Sequence, residues 1–94
     1  MFVATCIITL DLAGVRSLKE KRRILKSILS RLHQEFNLSA AEIDGHDVWG
    51  TAVIGLTIGG NDQRHLHSVL QKAVDWIEAH RLDAPINSYH IEFR

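Results

Sequence analysis

Two stretches with apolar residues at helical spacing, each flanked by segments that alternate at period two, restrict this chain to a small set of folds. The first places Leu18, Ile24, Leu25, Ile28, Leu29, Leu32 and Phe36 in one stripe at about 100° per residue. The second does the same with Leu66, Val69, Leu70, Ala73, Val74, Trp76 and Ile77. Around them, Phe2 to Leu12 is apolar at every even position, Leu38 to Asp44 alternates weakly, and Ala52 to Ile58 alternates again. Ile86 to Phe93 closes the chain with Tyr89, Ile91 and Phe93 on one side. The predicted order is βαββαβ.

Local punctuation agrees with that order. Gly14 supplies a turn, and Ser17 with Glu20 three residues later forms a capping box that starts a helix at Leu18. The helix runs to about Phe36, with Asn37 as terminator. Gly45 and Gly50 bracket a polar connection holding His46, Asp47 and Trp49. Gly59-Gly60-Asn61-Asp62 reads as a turn into an N-cap, and the second helix ends near Arg81, ahead of Pro85.

Two βαβ-like halves, each with one apolar helix stripe, need a common surface to cover. A four-stranded antiparallel sheet with both helices on one face supplies it, giving an α+β, ferredoxin-like architecture in a single domain, residues 1–94. The uncovered face is expected to carry Val3, Thr5, Ile7, Val53, Thr57, Ser88 and His90. Such a half-apolar face either stays wet or pairs with a second copy as a homodimer.

At 94 residues and 46% hydrophobic, the chain can bury one core and not two. The single Cys6 has no partner for a disulfide or a thiolate metal site, which points to a cytoplasmic setting. The apolar N-terminal segment lacks a basic leader and a cleavage-like tail, and no run approaches the roughly 20 apolar residues of a membrane span. No membrane partner is expected.

Charge is the other constraint. Net charge is zero, yet seven of the 11 Lys and Arg residues lie between positions 16 and 31, with Glu20 as the only acid among them. With Leu18 at 0°, Lys19, Arg22, Arg23 and Lys26 project between about 40° and 140°, together with His33, away from the apolar stripe. Arg31 falls elsewhere and is placed to pair with Glu35. Lys21 projects at the edge of the apolar stripe, where it is expected to lay its stem along the core and surface its ammonium.

Most charge runs are solvated helix faces. Against that reading, like charges at three- and four-residue spacing repel, and the cations begin at the helix end where the macrodipole favours an anion instead. The second helix provides a control, since its outer face balances Arg64 and Lys72 with Asp75 and Glu78. Arg16, Lys19, Arg22, Arg23 and Lys26 are therefore the candidate nucleic-acid-binding residues, gripping RNA phosphates in a salt-sensitive way. Base stacking on the sheet is not expected, because the central strands offer Thr5, Ile7, Val53 and Thr57 and no aromatic ring.

Catalytic and metal candidates are weak. Ala13-Gly14-Val15-Arg16 is faintly similar to the anion loop of small acyl-phosphate hydrolases, without its further glycines or catalytic Asn. His65 and His67 lie about 200° apart on a helix and cannot share one ion. Asp44, His46 and Asp47 fit an Asp-rich turn, His80 the apolar side of a helix end, and Trp49 and Trp76 packing at the core's margin. No catalytic residue, metal or cofactor is assigned.

Ser17-Leu18-Lys19-Glu20-Lys21-Arg22-Arg23, then Phe36-Asn37-Leu38-Ser39, Ala41-Glu42, Asp44, Asp47, Trp49, Gly55 and Asn61-Asp62 form a pattern across nearly the whole chain. It resembles the YlxP-like family of small bacterial proteins of uncharacterised function, with departures at Gly45 and His46. The resemblance implies a ferredoxin-like fold and a cytoplasmic bacterial protein whose gene often lies among translation and ribosome-maturation genes. It implies no activity, and it directs the RNA expectation toward the ribosome.

Overall fold

The computed structural model describes all residues from 1 to 94. The elements are β1 (Phe2–Asp11), α1 (Leu18–Phe36), β2 (Ser39–Asp44), β3 (Thr51–Gly60), α2 (Gln63–His80) and β4 (Ile86–Phe93). One sheet contains all four strands in the order β2-β3-β1-β4, with every neighbouring pair antiparallel. β1 and β2 thus flank β3 and point the same way, the split βαβ arrangement of a ferredoxin-like α+β fold.

Alternation explains which face each strand buries. Ala4, Cys6, Ile8 and Leu10 of β1 stand beside Ala52, Ile54 and Leu56 of β3 in the register Ile8↔Ile54 and Cys6↔Leu56, and all are fully buried. Leu25, Ile28 and Leu32 of α1 and Leu66, Leu70, Val74 and Ile77 of α2 close over them from the same side. Burial pushes the Cys6 thiol up to about 11, although a backbone hydrogen bond at His90 works in the other direction. That thiol stays neutral and inert at ordinary pH.

Helix ends follow their caps. Ser17 Oγ accepts from the Glu20 amide at 3.1 Å, while Glu20 Oε2 accepts from the Arg16 amide at 3.3 Å, so the box closes one residue earlier than the usual reciprocal pair. Asn37 takes the left-handed conformation, φ 47°, that stops α1. Asp62 Oδ1 accepts from Arg64 and His65 at the start of α2.

The C-terminal part of α2 is tied to the middle and second half of α1. Arg81 Nη1 donates to Ser27 Oγ at 2.8 Å, and the Arg31 guanidinium lies 5.8 Å over the Trp76 ring while pairing with Glu35 at 3.2 Å. Trp76 packs at the core's margin. His80, expected on the apolar side, is instead exposed and stacks on Trp76 at 5.4 Å, with Nδ1 turned back to Trp76 O at 3.0 Å. Trp49 does not cap the core either: it sits half-exposed on the connection between β2 and β3.

The open face carries Val3, Thr5, Ile7, Val53, Thr57, Ser88 and His90, as the cross-strand register requires. It also carries Ile43, which a bulge between Glu42 and Asp44 turns over Gly55. A Cβ at Gly55 would stand 3.0 Å from Ile43 Cγ2, so the glycine is what admits that side chain. β4 is exposed along most of its length, and on its helix-side face Tyr89 meets only the edge of α2, through Gln71 at 3.4 Å.

Candidate nucleic-acid interface

Helical period places the cations. Lys19, Arg22, Arg23 and Lys26 lie within about 10.5 Å along one side of α1, spaced three, one and three residues apart, and Arg16 precedes the helix. All five side chains are exposed. None of them is paired with a carboxylate, since the ion pairs of the fold are Lys21–Glu42, Arg31–Glu35, Arg81–Asp83, and Glu92 with His90 and Arg94. The positive face is thus left unneutralised by the protein itself.

Arg16 stands somewhat apart. Beside it the capping turn runs over a hollow of about 350 Å³ whose lining includes the carboxylates of Asp11, Glu20 and Asp83. The chain's own acceptors thus stand at the helix mouth, where Ser17 Oγ and Glu20 Oε2 take the Glu20 and Arg16 amides. The same contacts answer the phosphate-loop likeness. The amides of Ala13, Val15 and Arg16 donate to Asp11 Oδ1, Leu12 O and Glu20 Oε2, so three of the loop's donors are engaged within the turn itself.

Lys21 behaves differently from the sequence expectation. Its ammonium does not reach solvent: the residue is 1% exposed, and Nζ donates to Gly45 O at 2.6 Å and Val48 O at 2.5 Å. Glu42 Oε2 lies 3.1 Å away. The connection after β2 folds over the helix flank and supplies carbonyls where the helical wheel has only open space. Glu42 points the same way because it stands opposite Ile54, on the helix side of the sheet. In the sequence Ala41 and Ile43 alternate against Glu42 and Asp44, which gives Glu42 the polar phase of β2; the structure reverses that phase, with Glu42 facing the helices and Ala41 and Ile43 exposed. Glu42 Oε2 is itself buried and accepts no hydrogen bond, so its 3.1 Å contact with Lys21 is an ion pair without hydrogen-bond geometry.

Arg22 and Lys26 border a groove of about 370 Å³ between α1 and β2. By helix period Lys19 and Arg23 lie farther round, on the outer flank. His33 completes the near rim. Its Nδ1 lies 2.9 Å from Leu38 O, which can only accept, so this nitrogen carries the proton and Nε2 is left free. The groove was not legible in the sequence, because it depends on the small side chain of Ala40 across from Leu25 and Leu29.

No three His, Cys, Asp or Glu side chains gather closely enough to hold a metal ion, and His65 and His67 both fall within α2. No helix is long and apolar enough to cross a membrane.

Comparison with known proteins places this arrangement. Residues 3–91 match the family described as "Protein of unknown function (DUF503)". A relative, "Uncharacterized protein YlxP" of Bacillus subtilis (strain 168), is 35% identical over 63 residues, covering 67% of this chain and 68% of that protein. The span matched to the family takes in both helices and nearly all of the four strands, and the chain belongs to the DUF503 family.

Proposed function

We propose that this protein is a non-enzymatic, cytoplasmic accessory module that binds RNA phosphates, in a ribosome-associated setting, through the flank of α1. The observation that carries this reading is the set Lys19, Arg22, Arg23 and Lys26, exposed on one side of a helix and unpaired with any carboxylate of the fold. Self-repulsion along that flank is relieved when phosphates replace the counterions, which gives affinity that falls steeply with salt. Filter binding to a structured RNA at two salt concentrations tests it. Binding should weaken as salt rises, and the double reversal Arg22→Glu, Lys26→Glu should abolish it with the fold intact; unchanged affinity in that variant rejects the reading.

A second reading, a homodimer through the open sheet face, is favoured by one observation. Ile7 and Ile43 are 45% and 48% exposed on that face, on either side of Gly55. An apolar interface of that kind would persist at high salt, so sedimentation at two ionic strengths separates it from phosphate binding.

A further inference from the structure

The groove between α1 and β2 combines three features that one class of ligand satisfies together. Leu25, Leu29 and Ala40 line it with apolar surface, and the exposed Arg22, Lys26 and His33 stand along its rim. Glu42 lies among them as a hydrogen-bond acceptor whose charge is balanced from behind by Lys21. Its volume of about 370 Å³ falls within the range of small-molecule sites.

We infer that this groove seats one unpaired base of a single-stranded RNA while Arg22 and Lys26 hold the phosphates beside it. The inference rests on the reading of α1 as an RNA grip and adds what kind of RNA that grip selects. A duplex can lie against the cations but keeps its bases stacked inside, so it leaves the groove empty. An unpaired nucleotide offers a flat apolar ring for the floor, an anion for the rim and N–H groups at its edge for an acceptor. Glu42 also separates this ligand from an acidic peptide. A groove for Asp or Glu side chains would gain nothing from a carboxylate in its wall, whereas a base edge that donates hydrogen bonds can use one. Lys21 keeps that carboxylate from repelling the neighbouring phosphate.

The test measures binding of the whole chain to a labelled single-stranded RNA octamer and to a duplex of the same length, by fluorescence anisotropy at one salt concentration. The single strand should bind about tenfold more tightly. Ala40→Phe fills the groove from β2, and Ser30→Ile narrows it from the exposed side of α1 without touching the core. Either should bring the single strand down to the duplex level while leaving duplex affinity and its salt dependence unchanged. Equal affinity for the two RNAs, or groove variants that bind the single strand as the parent does, overturns the groove and leaves the electrostatic grip standing. Absence of binding to both RNAs removes the grip and the groove together. Displacement of the single strand by an oligoglutamate peptide at comparable concentration overturns the nucleotide assignment in favour of an acidic protein.

Discussion

Lys21 Nζ lies 3.1 Å from Glu42 Oε2 and, with two backbone carbonyls of the following connection, is sealed from solvent on the apolar side of a helix whose other flank is basic. A buried pair of this kind is costly to break on one side, because the surviving partner keeps its charge and loses its compensation. Lys21→Met should therefore destabilise the fold by about 3–5 kcal/mol, read as a lower midpoint in urea. Replacing both, Lys21→Met with Glu42→Leu, should recover much of that loss. A double variant no more stable than the single one would mean that the carbonyl contacts to Gly45 and Val48, and not the pair, hold this corner.

Neutralising one rim cation is expected to act on salt dependence as much as on affinity. Arg22→Ala should lower the slope of log affinity against log salt by about one if Arg22 meets a phosphate. Arg64→Ala, on the charge-balanced outer side of α2, should leave the slope as it is. Titrations of both variants over a series of salt concentrations check this.

Cys6 links stability to alkaline pH. Burial raises its thiol from 9.0 to about 11 in the folded state, whereas the unfolded chain ionises near the lower value. The folded protein then holds the proton more firmly, so this contribution is fully present below about pH 9 and is lost as pH rises toward 11. The decline attributable to Cys6 should be on the order of 3 kcal/mol, obtained as the difference between the pH profiles of the parent and Cys6→Ala. Parallel pH profiles for the two proteins would contradict the assignment.

The two ends of α1 should be separable by mutation. Ser17→Ala removes the acceptor for the Glu20 amide and should cost about 1 kcal/mol. Asn37→Ala places a Cβ-bearing residue without a compensating side-chain amide at φ 47°, for a similar loss of about 1 kcal/mol, while Asn37→Gly should be close to neutral. Thermal denaturation of the three variants gives the ordering.

Most of the fold could be read from the sequence because its determinants are local. Strand alternation from Phe2 to Leu12, the Ser17 and Asp62 caps and the Asn37 stop each act within a few residues, and together they leave one economical way to bury two helix stripes. Lys21 shows where such reading ends. A helical wheel gives the direction of its side chain, but the carbonyls that receive it lie 24 and 27 residues downstream. The same holds for the groove, whose existence depends on Ala40 being small opposite Leu29, and for Trp49, whose exposure is decided by the path of the connection that Lys21 ties down. The cation positions were legible individually. Their freedom from carboxylates was not, since ion pairing depends on which acids the tertiary fold brings near.

Burying Lys21 also changes what chemistry at the surface can count. α1 contains three lysines, Lys19, Lys21 and Lys26, and amine-directed labels acting on the native protein would find only the first and last. A footprint by acetylation would mark those two ammoniums, and the third would appear in the modified peptide only after denaturant opened this corner of the molecule.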